Sequence, residues 1–258
     1  TYVGWQWKAN GGTTSSNTDG DITSTVQANT TAGFSIMTYS GTTGDVHTIG
    51  HGLGVTPEVW LVKQRSGNSE FKDWFFWHKD MAASNIVDNR MMFLNSAANP
   101  ATYTGINALT SSTIRVKSST TAQNGVTFVA YAFAQKQGYS RFGKYIGSGD
   151  ANGPFVYCGF KPAWIMLKIT SGTTAGWYIW DIKRETVNPN NQYLNAVEAD
   201  AEQSSSTFDI DFLSNGFKLR NSNAGLNGSG TSYIYMAFAQ NPFVTSGGAP
   251  ATARALTG

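Results

Sequence analysis

The sequence predicts an all-β protein made of two tandem antiparallel β-sandwich units, jelly-roll-like and with little helix. Three observations carry this expectation: short runs in which large and small residues alternate, a long internal repeat, and turn signals at the spacing of an antiparallel sandwich or barrel.

The alternation is clearest in the segments that close each repeat. Val129, Tyr131 and Phe133 alternate with Ala130, Ala132 and Ala134, and Ile234, Met236 and Phe238 hold the same positions in the second copy. Val3, Trp5 and Trp7 repeat the pattern a third time. Successive strand side chains point to opposite faces, so the pattern assigns the large face to a core and the alanine face to close approach of a neighbour.

The repeat runs through five blocks in one order. Phe128-Val-Ala-Tyr-Ala-Phe-Ala-Gln135 recurs as Tyr233-Ile-Tyr-Met-Ala-Phe-Ala-Gln240, and Gly54-Val-Thr-Pro57-Glu-Val-Trp-Leu-Val-Lys63 as Gly159-Phe-Lys-Pro162-Ala-Trp-Ile-Met-Leu-Lys168. Trp74-Phe-Phe-Trp77 matches Trp177-Tyr-Ile-Trp180, Phe93-Leu-Asn95 matches Tyr193-Leu-Asn195, and Ile114-Arg-Val-Lys117 matches Phe217-Lys-Leu-Arg220. These blocks divide the chain into residues 1–9, the closing strand of a preceding repeat; 10–33, a Gly/Thr/Ser/Asn-rich linker or arm; 34–141, the first β unit; 142–243, the second; and 244–258, a flexible tail. The first segment suggests a chain cut within an earlier copy of the unit.

Asn215-Gly216, between Phe208-Asp-Ile-Asp-Phe-Leu213 and Phe217-Lys-Leu-Arg220, is the strongest hairpin signal in the chain. A two-residue turn there pairs Phe212 with Leu219 inside and Asp211 with Arg220 outside, each such pair contributing roughly 0.2–1 kcal/mol. The least strand-like stretch is Asn195 to Ser206, where one short helix fits.

Composition narrows the function classes. The net charge is +2, from 18 basic and 16 acidic residues, and charged residues make up 13% of the chain against about 25% in an average globular protein. Neither nucleic acid nor an acidic membrane surface is implied as a partner. Cys158 is the one cysteine, so an intrachain disulfide and a cysteine-based zinc site are both excluded. No run of 18 or more apolar residues and no secretory-type start occurs. Delivery outside a cell would then fall to another route, such as lysis of an infected host.

Candidate reactive groups are few. His47 and His51 with Asp45 could be drawn as metal ligands, but they lie in a Gly/Thr-rich strand-and-turn segment whose second copy has no histidine. Asp209 and Asp211 share a strand face, as a glycosidase pair might, yet alternation turns both outward beside Lys218 and Arg220, the pattern of a surface ion-pair ladder. A Gly-x-Ser-x-Gly element is missing, and Asp19-Gly-Asp21 lacks the rest of a calcium loop. No catalytic, cofactor or metal residues are assigned. Trp74, Trp77, Trp177 and Trp180 are the candidate receptor or glycan contacts, because sugar rings stack on exposed indoles; residues three apart on a strand face opposite sides, so at most one of each pair serves a given surface. The loops Gly147 to Gly153 and Ser222 to Ser232 could form a recognition rim on a rigid scaffold.

The runs Gly4-Trp-Gln-Trp-Lys-Ala-Asn-Gly-Gly12, Asn17-Thr-Asp-Gly20, Ile22-Thr-Ser-Thr25 and Ala32-Gly-Phe-Ser-Ile36 resemble a repeat region of marine bacteriophage structural and tail-fibre proteins. Gly153-Pro-Phe-Val-Tyr157, Asp211-Phe-Leu-Ser-Asn-Gly-Phe-Lys-Leu-Arg220 and Tyr233-Ile-Tyr-Met-Ala-Phe-Ala-Gln-Asn-Pro-Phe243 extend the likeness over nearly the whole chain. The resemblance implies a non-catalytic virion component, a tail-fibre or appendage module in host attachment, with a capsid-decoration or tail-body protein as the alternative and a glycan depolymerase behind both. It implies other virion proteins and a host-surface glycan or protein as partners, and a homo-oligomer, a trimer by analogy. Pro189-Asn-Asn-Gln192 and the tail after Phe243 depart from the pattern.

Overall fold

The structure, a computed structural model, describes residues 3–67, 72–81, 90–103 and 109–241; the expected tail, 244–258, lies outside them. The chain folds as two compact units, Thr1–Ala134 and Gln135–Gly258, and among the described residues nearly all regular structure is antiparallel strand.

In the first unit the strands are β1 (Ser15–Asn17), β2 (Ser24–Asn29), β3 (Phe34–Ser40), β4 (Val46–Gly50), β5 (Val59–Ser66), β6 (Phe75–His78), β7 (Arg90–Phe93), β8 (Ala101–Thr102), β9 (Thr113–Lys117) and β10 (Thr127–Phe133). They form a larger sheet of order β1-β2-β3-β10-β5-β6-β7-β8 and a two-stranded sheet, β4-β9.

The second unit contains β11 (Ser140–Ile146), β12 (Phe155–Tyr157), β13 (Pro162–Ile169), β14 (Tyr178–Asp181), β15 (Gln192–Asn195), β16 (Gln203–Ser204), β17 (Ile210–Leu213), β18 (Gly216–Leu219), one helical turn α1 (Ala224–Asn227) and β19 (Ser232–Ala239). Its larger sheet has the order β11-β19-β13-β14-β15-β16 and its smaller one β12-β18-β17. Strand for strand this repeats β3-β10-β5-β6-β7-β8, so the sequence repeat is a topological one. The unit boundary falls before 141/142 because β11 is the second unit's own strand, paired along its length with β19. The blocks around Asn95 and Asn195 align differently in space: β6 sets Phe76 against Met92 and β14 sets Ile179 against Leu194, which makes Met91, not Phe93, the counterpart of Tyr193.

The closing strand of each unit runs through the middle of its larger sheet, between the opening strand and β5 or β13. This placement reverses the expected inward face. In β10 the deeply buried residues are Phe128, Ala130 and Ala132, while Val129 and Tyr131 are half-buried. In β19 the core cluster takes Tyr233, Tyr235 and Ala237 rather than Ile234, Met236 and Phe238. A central strand is covered on both sides, so residue size alone does not say which face meets the second sheet. That core is shared between sheets: Ile165, Leu167 and Trp180 from the larger meet Val156, Ile210, Phe217 and Leu219 from the smaller.

One contact recurs in both copies. Tyr39 of β3 stacks on Phe128 of β10 at 5.4 Å and 17°, and its hydroxyl donates to the Thr121 carbonyl at 2.5 Å. Tyr145 of β11 stacks on Tyr233 of β19 at 4.9 Å and 11°, and its hydroxyl donates to the Leu226 carbonyl at 2.7 Å. Burial pushes both phenols well above their usual pKa, which keeps each a neutral donor. The ring fills the core and the hydroxyl ties down the loop that leads into the closing strand.

Three expectations are corrected. The 10–33 segment is not a free arm: β2 pairs with β3 from Thr25↔Thr38 to Asn29↔Phe34, and the Gln27 and Asn29 amides donate to the Gly12, Lys8 and Ala9 carbonyls. Its Ser/Thr/Val content is good strand material once an edge is offered to it. Residues 3–9 form no ladder strand, although alternation survives as half-buried Trp5 and Trp7 and buried Ala9; the Trp7 ring meets Phe133 edge-on at 6.3 Å. In place of a helix over 195–206 there are β16 and a 3₁₀ turn, Ser206–Phe208, and the α-helical turn falls at Ala224–Asn227.

The hairpin exists with a shifted register. Leu213 pairs with Gly216, Phe212 with Phe217, Asp211 with Lys218 and Ile210 with Leu219. Positive φ is confined to other glycines among the described residues, so this is not the left-handed Asn-Gly turn that the dipeptide signals. Gly216 is needed for a different reason: a Cβ there would lie 2.1 Å from the Val156 carbonyl oxygen of β12. The turn is also held from outside, since the Cys158 and Gly159 amides donate to the Asn215 carbonyl at 2.9 and 3.1 Å.

Two predictions follow from these contacts. Tyr39→Phe and Tyr145→Phe keep the ring but leave a carbonyl unpaired, and each is expected to lower its own unit's stability by about 1–3 kcal/mol in urea denaturation. Gly216→Ala is expected to cost about 1–3 kcal/mol by crowding β12, and a neutral result would show that the strands can move apart freely.

Candidate functional site

The four tryptophans do not form a stacking platform. Trp77 and Trp180 hold equivalent places on β6 and β14, opposite Trp60 and Ile165, and are 9% and 0% exposed. Trp177 is 1% exposed, and only Trp74 is half-buried. Trp74 and Trp177 instead sit beneath lysines that the repeat also duplicates. Lys63 Nζ lies 5.7 Å from the Trp74 ring centroid and Lys168 Nζ 5.9 Å from that of Trp177. Each ammonium also donates to a backbone carbonyl, that of Lys72 and that of Ala175 respectively. Cation–π attraction and a carbonyl acceptor partly replace lost hydration. Even so, burial pulls the Lys168 pKa from 10.5 down to about 8.

The histidines are structural. His51 is fully buried; its Nδ1 accepts from the Leu53 amide at 3.2 Å, which leaves Nε2 as the donor to the Thr110 carbonyl at 3.2 Å. Burial lowers its pKa, so the ring stays neutral. His47 Nδ1 meets Asp21 at 3.0 Å. Partial burial alone would raise the Asp21 pKa, but hydrogen bonds from the hydroxyl and amide of Thr48 and from His47 bring it down to about 2. Asp45 faces Lys117 at 3.5 Å, and Asp19 closes a turn on Asn17. Among the described residues no three His, Cys, Asp or Glu side chains group as metal ligands do. Cys158 is buried, its thiol pushed up to about 12 by that burial, so it carries little thiolate.

A different surface gathers polar and aromatic chemistry: the outer face of β12-β18-β17. Buried Val156, Phe217, Leu219, Ile210 and Phe212 point into the core, which turns their neighbours outward. One cross-strand row is Phe155–Lys218–Asp211 and the next Tyr157–Gly216–Leu213. Two strand spacings make each row roughly 10 Å wide. Phe155 is 45% exposed and Tyr157 60%, and the Phe155 ring edge comes within 3.0 Å of where a Cβ on Gly216 would sit.

Beside these rows opens a groove of ≈ 700 Å³ lined by Asp150, Ala151, Asn152, Asn188, Pro189, Asp209, Asp211 and Arg220. Asp211 pairs with Arg220 at 3.5 Å, as the ion-pair reading of this strand expects. Asp209 has a buried Oδ1 without a hydrogen-bond partner. Burial, together with repulsion from Glu185 and Asp211, raises its pKa against the opposing pull of Arg220. The two loops singled out in the sequence build the groove's end: Asn227, fully buried, accepts from the Ser148 amide at 2.7 Å and donates to the Asp150 and Asn221 carbonyls at 2.8 and 2.6 Å. Phe155 and Tyr157 were missed in the sequence because two rings are few beside eight tryptophans; the legible signal was the Phe-Val-Tyr alternation following a Gly/Asn-rich loop.

Among the described residues the first unit has no such surface. Arg115 matches Lys218 in the repeat, so the positions of Phe155 and Tyr157 fall on Thr48 and Gly50 of β4. There the chain lies over itself: the Ile22 amide donates to the Thr48 carbonyl at 3.0 Å, Thr48 hydrogen-bonds Asp21, and a Cβ on Gly50 would lie 1.6 Å from the Asn17 Oδ1.

Fold and site together define a duplicated, all-β protein with an exposed polar–aromatic face on its second unit. The chain belongs to the family described as Domain of unknown function (DUF7483), whose model matches residues 1–242 and so spans both units. No curated protein and no solved structure matches it.

The buried lysine generates a prediction. The folded chain releases the Lys168 proton near pH 8 and the unfolded chain near 10.5, so between those values the unfolded state holds more protons and stability rises with pH. The stability difference between the wild type and Lys168→Met is expected to move in favour of the wild type from pH 7 to 10.5, by roughly 3 kcal/mol at most. A pH-independent difference in denaturation midpoints would remove this account.

Proposed function

We propose that this chain is a non-catalytic structural protein of a bacteriophage virion, a tail-fibre or appendage module that takes part in host attachment. The observation that carries the reading is how the reactive groups are used. His51, Asp21, Lys168 and Asp211 are all engaged in holding the chain together, and the lysine–tryptophan contact is made twice in the same way. A duplicated scaffold with low charge and polar loops suits binding by shape, and the likeness to marine phage fibre repeats gives that binding its setting.

The finer architecture belongs to the same reading: each unit is an antiparallel β-sandwich, jelly-roll-like, its smaller sheet laid over the larger. The shared core of the second unit supports it. The protein would act on the virion, outside the producing cell, with other virion proteins and a host-surface glycan or protein as partners. It would form a homo-oligomer, a trimer by analogy, whose several copies multiply weak contacts into avidity. A clamp role for the 10–33 segment in a capsid-decoration or tail-body protein is less well supported, because β2 spends its backbone on β3.

The test is adsorption. Labelled protein is expected to bind a subset of bacterial strains saturably, to compete with phage adsorption on those strains, and to run at the mass of three chains in light scattering. Capsular polysaccharide incubated with it is expected to keep its viscosity and reducing-end count. Absence of saturable binding to every strain would remove the attachment role, and a falling viscosity would replace it with a depolymerase.

A further inference from the structure

We propose that the outer face of β12-β18-β17 is a binding site for a neutral carbohydrate chain, with Phe155 and Tyr157 as the stacking platform and the adjoining groove as the hydroxyl-recognising wall. The biological role rests on the attachment reading above; the binding itself does not.

The internal repeat supplies the control. Two copies of one unit carry the same strand pair, β4-β9 and β12-β18, yet the first copy covers its outer edge with Asn17, Asp21 and Ile22. The second copy has no such segment over it among the described residues. In its place are two rings, 45% and 60% exposed, where the first copy has a threonine and a glycine. An aromatic ring left in water forgoes the stabilisation of burying its apolar area, and the fold of this unit does not require these rings, since Val156 fills the core from between them.

The chemistry beside the rings selects the ligand. A pyranose offers an apolar C–H face to stack on a ring and a rim of hydroxyls that both donate and accept. Asp209 and Asp150 line the groove as acceptors and Arg220 as the donor, while the Asn188 amide is held by the Phe212 backbone, donating to its carbonyl and accepting from its amide at 3.0 Å each. Asp209 lines the groove, and its buried Oδ1 has no hydrogen-bond partner, so the carboxylate keeps acceptor capacity that the fold does not use. The charges leave the groove mildly negative: three aspartates, with Glu185 close enough to act on Asp209, face Arg220 and, in the next row, Lys218, whose ammonium is already held by the Gly153 carbonyl at 2.6 Å. A phosphate-rich or polyanionic ligand would meet those carboxylates first. An extended peptide adding to β12 would find a strand of three residues, too short for a ladder to carry affinity.

Affinity electrophoresis of the full chain tests this, in gels cast with dextran, mannan, galactomannan, xyloglucan, laminarin or bacterial O-polysaccharide. At least one polymer is expected to retard the wild type. Tyr157→Ala and Phe155→Ala are each expected to weaken that retardation about tenfold, and Asp209→Asn severalfold. Val55→Ser, in the first unit, should leave it unchanged, and circular dichroism should show all variants folded. Free migration of the wild type in every gel would overturn the proposal, as would wild-type retardation of a folded Phe155/Tyr157 double alanine variant. Run beside the strain-adsorption assay, the two readings separate. Cell binding that survives the double variant removes this site from attachment and leaves the attachment role standing, whereas polymer binding without any cell adsorption removes the attachment role and leaves the site.

Discussion

Each unit is organised by the burial of its last strand between strands formed much earlier in that unit. β10 joins β3 to β5, and β19 joins β11 to β13, so neither larger sheet is continuous until the end of the unit is in place. Such long-range pairing costs loop-closure entropy before it returns contact energy. The stacked tyrosine of the opening strand offsets part of that cost by fixing, through its hydroxyl, the loop that feeds the closing strand. The same ring, stack and carbonyl occur in both copies, on pairs that are not identical in sequence, so this contact is kept by the repeat as the lysine–tryptophan contact is.

The polar groups inside the scaffold follow from the same burial. Where a strand is covered on both faces, any long polar side chain on it must find its partners within the protein. Lys168 does so with an indole and a carbonyl, and still loses basicity. Asp181 does so by accepting from the Lys183 and Arg184 amides and from the Arg184 guanidinium at 2.6 Å. Reactive-looking side chains are thereby consumed in structure, and surface chemistry is left to the smaller sheet and its loops.

Comparison of the two copies shows how one scaffold acquires a distinct surface. In the first, residues 15–29 pair with β3 and bridge to β4. In the second, only a short turn joins β10 to β11, and the corresponding strand face carries Phe155 and Tyr157 in the open. The groove beside them is fixed by Asn227, one buried amide that ties together both loops flanking the smaller sheet. A rigid wall of this kind spares a ligand the cost of ordering it.

By itself the sequence determined the all-β class, the duplication and the inward side of Phe212 and Leu219 in the hairpin, because alternation and repeat spacing are local properties, and both residues are buried. It placed the Asp211–Arg220 pair on one outward surface for the same reason. Tertiary structure alone decided which face of β10 and β19 meets the second sheet, since a strand covered on both sides gives two apolar stripes and no local rule ranks them. It also decided that Gly216 serves the approach of β12 rather than a left-handed turn, and that Trp77, Trp177 and Trp180 are covered while Phe155 and Tyr157 are not. Exposure depends on what other segment of the chain comes to lie over a residue, and that is set by pairings between positions far apart in the chain.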